Sequence, residues 1–482
     1  MASKIGHFSE LEIVLGNFDS TSQRVQQYIK SFKMGALLAK CDFVKTKGFC
    51  VSYLLGALIL FRLKGDSVNQ MQGKWLQVMR KVDDNTFYRI LNHPLVDWRR
   101  LLMSFAKQFL DLAKSNGSSN NEPTCFVIDD SDLEKTGKTI EFVSKIYNHV
   151  TKTYSLGFKF LLLSFWDGKS LVSLDFSLHR EKGSKNNYGL TPKELRNQFS
   201  KERDSKSPQY QRTKEVDLSK LEVIVMMLKR AVKNGFHAKY VLMDSWFVND
   251  FIIKEIRAIK SGMMHVIGMC KMDKRNYLID SKELNSNKII AIKERKYKKY
   301  SRKFKSHYIS IVADYKGQKV LLLYVKYHNA RNWKLLLTTD LKLSFVQAME
   351  LYQIRWTIEV LFKECKQYLK LGRGQSTDFN GQIADITISL ITHTILSLQK
   401  RFSAYETMGN LFRESQKDLL ELTLWERLIK LLYTVLDEIC DLFEIDADTI
   451  IEKIMQNDKS SQKLQLIFKT IEEYANNVKK AA

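Results

Sequence analysis

Two stretches decide the expected fold: Thr124-Cys-Phe-Val-Ile-Asp-Asp-Ser131 and Tyr240-Val-Leu-Met-Asp-Ser-Trp-Phe247. Each is a short apolar run that ends in aspartate, which is typical of a buried strand. Between them the pattern predicts a hairpin over 158–178 and then a helix over 218–234. Beyond the second stretch it predicts another helix over 249–260. The predicted order is therefore strand, strand, strand, helix, strand, helix.

That order, with acidic residues at the ends of the first and fourth strands, predicts an α/β protein with a ribonuclease H-like core. Several short apolar runs between 265 and 340, among them 288–292, predict an all-β insertion into this core. The turn formers of Ser115–Pro123 predict a boundary before the core. The expected organisation is a helical N-terminal region over 1–115, the first part of the core over 124–264, the β insertion over 265–340, core helices over 341–400 and a helical C-terminal region over 401–482.

The net charge of the chain indicates which class of partner it binds. Across 482 residues, 77 Lys and Arg against 53 Asp and Glu give a net charge of +24, which favours polyanions and above all nucleic acid. Six scattered cysteines without a C-x-x-C pair disfavour a zinc site and favour a reducing compartment. The longest apolar run, 51–61, is too short for a bilayer that needs about 20 residues, and no apolar secretion signal opens the chain. We therefore expect no membrane partner and a cytoplasmic, nucleoid-associated location.

The predicted helix over 344–371 carries two stripes. One is apolar and is expected to be buried. The other is polar and includes Tyr352, Arg355, Glu359 and Lys366, which at 100° per residue fall on one flank of a single helix. Helix geometry alone also allows a solvated face with i,i+4 ion pairs.

The spacing Tyr352-x-x-Arg355-x-x-x-Glu359-x-x-x-x-x-x-Lys366 resembles the signature of the DDE transposases of bacterial insertion sequences, in the branch called the insertion-sequence-four family. The two aspartate stretches are similar to the first and second acidic motifs of that family. The resemblance covers about 124–400. It implies a DNA transposase that binds the terminal inverted repeats of its element, cleaves the ends and transfers them to target DNA. In such a protein the N-terminal region is expected to help bind the DNA ends, and the C-terminal region to serve oligomerisation.

The resemblance assigns Asp130, Asp244 and Glu359 as the catalytic and metal-binding acids. Cleavage and joining of a phosphodiester are in-line displacements that two Mg²⁺ ions assist, with Mn²⁺ as a substitute, and a few carboxylates suffice as protein ligands. Asp129 competes with Asp130, because neighbouring residues on a strand point to opposite faces. The family places its aspartate directly before Ser or Thr, which favours Asp130; a turn or a helix cap is the structural alternative for these aspartates.

Five further residues are expected to contact DNA. The resemblance implies phosphate contacts for Arg355 and Lys366, and a hydrogen bond from Tyr352. Trp356 is expected either beside the DNA end or in the core. Trp333 is expected either to stack on a base flipped out during hairpin formation or to pack in a buried strand.

Two basic stretches, 180–214 and 293–305, are expected either to track phosphates or to be solvated. The expected partner is double-stranded DNA, bound by a homodimer in a synaptic complex. Two other functions stay open: a catalytically inactive DNA-binding relative and a structure-selective, magnesium-dependent nuclease of the same fold.

Overall fold

The computed structural model describes residues 32–41, 43, 51–64, 68, 83–115, 123–149, 151–328 and 330–402. The chain divides into two compact units, 1–416 and 417–482. The predicted C-terminal region lies outside the described residues beyond 402, as do 1–31 of the predicted N-terminal region.

Groups of helices and groups of strands follow one another along the described chain. The helices are α1 Met34–Ala39, α2 Val51–Lys64, α3 Asp84–Leu91, α4 Trp98–Ser115, α5 Pro192–Arg196, α6 Pro208–Glu215, α7 Lys220–Lys233, α8 Asp250–Ala258, α9 Ser286–Tyr297, α10 Phe345–Gln353, α11 Trp356–Tyr368 and α12 Phe379–Phe402. The strands are β1 Cys125–Glu134, β2 Ser144–Asn148, β3 Thr153–Trp166, β4 Leu171–His179, β5 Tyr240–Met243, β6 His265–Cys270, β7 Asn276–Ile279, β8 Lys282–Asn285, β9 Lys299–Ser301, β10 Ser306–Tyr315, β11 Gln318–Tyr327 and β12 Lys334–Thr338.

A mixed sheet forms the centre of the fold, with strands in the order β4-β3-β1-β5-β6. β3 is antiparallel to β1 and β4, whereas β5 is parallel to β1 and β6 is parallel to β5. The predicted hairpin is present, since Trp166 pairs with Leu171 across its turn. β2, which the sequence did not predict, pairs with the first half of β3. The α/β class is confirmed, and the mixed sheet is compatible with a DDE nuclease fold.

The segment after β5 continues this sheet. β12 pairs with β6, and the ladder runs on through β11 and β10 to β7 and β8. The prediction of a strand at 288–292 is wrong, because these residues lie in α9 and the segment is therefore not all-β. Asn285 caps that helix by accepting a hydrogen bond from the Lys288 N–H, and Ile289 and Ile290 face the core. A short apolar run of this length is ambiguous between the two structures.

α12 is a long helix that packs against α2, α4 and α11. Its buried hydroxyls are satisfied locally, as Thr387 and Thr392 donate to carbonyls one turn earlier. The His393 Nε2 of α12 lies 3.0 Å from the Glu364 carboxylate of α11. α12 thus connects the N-terminal helices to the helix that carries Glu359. Throughout the described chain, every helix is too short or too polar to cross a membrane.

The predicted single helix over 344–371 is two helices, α10 and α11, which meet at Ile354 and Arg355. The chain tightens there through hydrogen bonds three residues apart, from Arg355 N–H to the Tyr352 carbonyl and from Thr357 N–H to the Ile354 carbonyl. The Thr357 hydroxyl also donates to the Ile354 carbonyl at 2.7 Å. The four signature residues are therefore not placed by one regular helical period.

Candidate active site

Two aspartates stand side by side where β1 and β5 run parallel. The pairing runs from Cys125 with Tyr240 to Ile128 with Met243, so the next residues on the two strands are Asp129 and Asp244. Residues in register on parallel strands point to the same face of a sheet. Asp129, rather than Asp130, therefore lies on the same face of the sheet as Asp244, which is the first residue after β5.

Arg355 connects Asp129 to the glutamate of α11. One terminal nitrogen of its guanidinium lies 2.9 Å from the Asp129 carboxylate, and the other lies 2.7 Å from the Glu359 carboxylate. The Arg355 and Asp129 side chains are only 7% and 13% exposed, so their ion pair lies largely out of water, whereas the Glu359 side chain is 39% exposed. The kink between α10 and α11 places the guanidinium between the two acids.

Burial raises the pKa of the Asp129 carboxyl to about 7. Arg355 and the Asp130 N–H oppose this shift, whereas the negative charges of Asp130 and Asp244 add to it. Burial also raises the pKa of the Tyr352 hydroxyl to about 12; Arg355 opposes that rise, and Asp244 and Asp129 add to it. These residues are therefore close enough to interact electrostatically.

Asp130 points the other way. Its carboxylate forms an ion pair with Lys220, the first residue of α7, whose ammonium lies 5.0 Å from the centre of the exposed Trp246 ring. His179 lies close by, and burial followed by the charge of Lys220 lowers its pKa to about 4. Asp130 and Asp129 thus belong to two different clusters on opposite faces of β1.

Lysines fasten α11 and its following loop to β1. The Lys366 ammonium donates to the Ser131 hydroxyl at 2.7 Å and to the Asp132 carbonyl at 2.8 Å. The buried Lys135 ammonium donates to the Gly372 and Gly374 carbonyls at 2.6 and 2.7 Å. Gly372 has φ of +75°, and a Cβ there would lie 2.7 Å from the Leu133 side chain, so the close approach requires glycine. The strand of Asp129 and the helix of Glu359 are therefore held together at both ends.

The two tryptophans that were predicted to contact DNA lie in different parts of the structure. Trp356 is 57% exposed, with the Arg355 guanidinium 5.2 Å from its ring centre, so the core alternative for Trp356 is wrong. Trp333 is half-buried just before β12, which β5 and β6 separate from β1. Leu335 and Leu337, which follow it, are fully buried.

Among the described residues, no group of three His, Cys, Asp or Glu side chains lies close enough to bind a metal ion. As it stands, neither the predicted set of Asp130, Asp244 and Glu359 nor the set with Asp129 in place of Asp130 forms such a group. Instead, the carboxylates of Asp129 and Glu359 converge on Arg355, with Asp244 beside Asp129. Carboxylate oxygens are the ligands that Mg²⁺ prefers. The donor chemistry fits a hard divalent cation, and an arginine lies between two of the donors.

Several cations of the basic stretch 180–214 form ion pairs with acidic side chains of the protein itself. Arg180 binds Asp217 through two hydrogen bonds, and Arg203 binds Glu141 through two more. Arg212 is 3% exposed and reaches Asp175 in the middle of β4. The stretch contains α5 and most of α6, and these cations are paired with acids, while phosphate contact by its other cations stays a prediction.

Asp175 is the centre of a buried ionic cluster that sequence reasoning missed. It is fully buried and lies 2.9, 2.8 and 3.4 Å from the guanidinium groups of Arg99, Arg230 and Arg212. Although burial alone would raise it, these three arginines hold the pKa of Asp175 well below its usual range. An aspartate within the apolar run 171–178 was a usable signal, since a buried charge needs partners. The Ser219-x-x-Glu222 capping box similarly marks the helix start that positions Lys220.

Two protein-family models match parts of the chain. Residues 42–265 match the family model of the DDE superfamily endonucleases, and residues 213–395 match the model of the transposase DDE domain. The first match contains Asp129 and Asp130, the second contains Glu359, and both contain Asp244. The matches support a nuclease-type enzyme. More narrowly, they support a DDE transposase, for which DNA is the implied substrate. No protein in a search of curated sequences matches the chain.

Proposed function

We propose that the protein is a DNA transposase of the insertion-sequence-four family, which binds the terminal inverted repeats of its element, cleaves the ends and joins them to target DNA. One observation carries the proposal: Arg355 holds Asp129 and Glu359, from opposite ends of the core sequence, beside Asp244. These residues come from both matched segments. The strand order β4-β3-β1-β5-β6 supports a ribonuclease H-like core around them.

We propose Asp129, Asp244 and Glu359 as the three acids. The motif favoured Asp130 as the first acid, but strand register and the ion pair to Arg355 favour Asp129. Asp130 has its own cation in Lys220. Asp130 then acts on the first acid indirectly, because its backbone N–H donates to the Asp129 carboxylate at 2.9 Å.

Asp129, Asp244 and Glu359 would hold Mg²⁺, or Mn²⁺ in its place. Bound there, the metal would supply positive charge to the attacking and leaving oxygens of an in-line displacement. With these carboxylates holding the metal, the Arg355 guanidinium would be available to a phosphate group, which its planar donors match. The Tyr352 hydroxyl donates to a neighbouring phosphate oxygen in its protonated form, which its raised pKa preserves at neutral pH.

The other predicted DNA contacts surround this group. Lys366 lies on the same helix, one to two turns beyond Glu359, and places positive charge where β1 ends. Trp356 offers an exposed ring beside Arg355 on which a base at the DNA end can stack. Trp333 is proposed to hold a base flipped out at the hairpin stage. A net charge of +24 favours the DNA-bound state, and we propose a homodimer that pairs two ends in the bacterial cytoplasm, on the nucleoid.

Incubation of the purified protein and Mg²⁺ with the DNA that flanks its own gene tests this function. Strand ends that map to a pair of inverted repeats, followed by joining to a target plasmid, support the transposase. Unselective cuts without joining would instead identify a nuclease of the same fold. Binding without any cut under Mg²⁺ or Mn²⁺ would identify an inactive relative.

A further inference from the structure

The sheet ladder between β1 and β5 stops just before the two aspartates of the candidate active site. Its last pair is Ile128 opposite Met243, and Asp129 and Asp244 are the next residues on the two chains. β1 continues in its ladder with β3. The chain after β5 instead forms a turn, in which the Phe247 N–H donates to the Asp244 carbonyl at 3.1 Å. Side-chain contacts therefore decide how closely Asp244 stays beside Asp129.

Lys220, the first residue of α7, makes such contacts with both chains. Its ammonium forms an ion pair with the Asp130 carboxylate of β1 and lies 5.0 Å from the centre of the Trp246 ring, in the turn after β5. A cation at this distance is attracted to an aromatic face. Only 14% of the Lys220 side chain is exposed, so both contacts are weakly screened. The lysine thus joins the strand of the first acid to the turn of the second.

The two groups that Lys220 contacts are each coupled to one of the acids. The Asp130 backbone N–H donates to the Asp129 carboxylate at 2.9 Å. Trp246 lies two residues beyond Asp244, and its ring packs edge-on against Phe247, with ring centres 5.1 Å apart. Phe247 is 1% exposed, so it anchors the turn in the core. A shift of Asp130 relative to Trp246 would therefore change the separation of the two acids.

The start of α7 is a fixed support for the lysine. Ser219 and Glu222 form a capping box there, and the Leu218 carbonyl lies 3.2 Å from the buried His179 Nδ1 of β4. A cation in the first turn of a helix opposes the helix dipole, so helix stability does not explain a lysine at position 220. Its contacts with the two chains do.

We propose that Lys220 is a positioning residue that keeps Asp244 beside Asp129 by joining Asp130 to Trp246. It acts from the face of β1 opposite the acids and so influences the metal ligands from outside their site. Loss of a group that orients metal ligands in this way commonly weakens metal binding about ten- to hundred-fold. The inference rests on the proposed function, since it assumes that the two acids hold a metal ion.

Mn²⁺ titration of the intact chain, followed by the paramagnetic resonance signal of free Mn²⁺, tests the proposal. Lys220→Met removes the charge and should weaken Mn²⁺ binding about ten- to hundred-fold. Lys220→Arg keeps the charge and should retain most of the affinity. Lys229→Met is the matched control, because this residue of the same helix pairs with Glu255 at a side chain that is 58% exposed. It should bind Mn²⁺ as the wild type does.

Cleavage kinetics and a second substitution add readouts that a purely structural role would not produce. Lys220→Met should lower kcat and leave KM for DNA nearly unchanged, because it misplaces the acids and removes no DNA contact. Trp246→Leu should also weaken Mn²⁺ binding. The loss in the double variant should be smaller than the product of the two single losses, since both substitutions break one contact.

The outcomes separate a positioning role from its alternatives. Unchanged Mn²⁺ affinity and kcat in Lys220→Met would overturn the inference. A higher KM for DNA with unchanged Mn²⁺ binding would overturn it too and would identify a phosphate contact. Equal losses in Lys220→Met and Lys220→Arg, with lower melting temperatures, would identify a role in folding alone. In these three cases a wild-type chain that binds Mn²⁺ and cuts DNA leaves the proposed function standing, whereas a wild-type chain that does neither would overturn both.

Discussion

Lys366 and Ser131 are joined by a hydrogen bond of 2.7 Å between the ammonium and the hydroxyl. The bond fixes the last turn of α11 to the strand that carries Asp129. A lysine predicted to contact DNA therefore also positions the helix of Glu359. Its side chain is partly buried, and its second acceptor, the Asp132 carbonyl, lies on the same strand.

Lys366→Met should reduce DNA cleavage far more than DNA binding, and should also lower the free energy of unfolding. Loss of this ammonium leaves the Ser131 hydroxyl and the Asp132 carbonyl without their donor, at a cost of about 1–3 kcal/mol. Urea denaturation and a cleavage assay measure the two effects. Lys363→Met, at an exposed position of the same helix, should change neither. Equal losses in the two variants would contradict a positioning role for Lys366.

Asp129→Asn should abolish cleavage, whereas Asp130→Asn should leave measurable cleavage. The reason is that Asp129 aligns with Asp244 and shares Arg355 with Glu359, and Asp130 is paired with Lys220. Both asparagine variants keep the shape of the side chain, so DNA binding serves as the control for folding. The opposite ranking would restore Asp130 as the first acid.

Arg355→Ala should strengthen Mn²⁺ binding to the DNA-free protein while it lowers cleavage. The guanidinium competes with any metal for the Asp129 and Glu359 carboxylates, and its removal leaves those charges uncompensated. The variant should therefore be less stable without metal and should regain stability as Mn²⁺ is added. Isothermal calorimetry and thermal melting follow the two effects. Weaker Mn²⁺ binding in Arg355→Ala would show that the arginine assembles the site and does not compete for it.

Asp175→Asn should destabilise the protein by about 3–5 kcal/mol, because it leaves three arginines in a buried cluster without their central charge. The matched control is Asp217→Asn, which removes the partner of Arg180 at an exposed position. That change should cost no more than about 1 kcal/mol. Denaturant midpoints of the two variants give the comparison. Similar midpoints would mean that the cluster contributes little to stability.

Stability should rise with pH above neutrality through Lys135. Burial, with the nearby charge of Arg62, lowers the pKa of Lys135 from about 10.5 to about 7. Between these values the unfolded chain binds a proton that the folded chain lacks, so the free energy of unfolding increases as pH rises from about 7 to about 10.5. This added stability is lost as pH falls through 7. A neutral amine still has two N–H donors for the Gly372 and Gly374 carbonyls.

Denaturation of Lys135→Met between pH 7 and 10 checks this prediction, because the variant should lack that part of the slope. Lys138→Met, at a side chain that is 61% exposed, should keep the wild-type slope. A wild-type slope in Lys135→Met would place the titration elsewhere.

Local patterns predicted much of the core but not its side-chain pairing. The apolar runs that become β1, β3, β4 and β5 were visible because each is buried and bounded by turn formers or acids. β2 was not, since Ser144-Lys-Ile-Tyr-Asn148 is a short, mostly polar run whose pairing comes from β3. The break at Ile354 has no Pro or Gly to mark it. The choice between Asp129 and Asp130 depends on which strand lies next to β1, and that is a property of the assembled sheet.

A continuous hydrogen-bonded ladder runs from β1 through β5, β6, β12, β11 and β10 and fixes distances across the protein. Backbone hydrogen bonds fix the spacing of neighbouring strands, so the separation between Asp129 on β1 and Trp333, just before β12, cannot vary much. If one strand of DNA reaches both residues, this separation fixes the number of nucleotides between the base held at Trp333 and the bond that is cut. That number is then set by the protein backbone and is independent of DNA sequence.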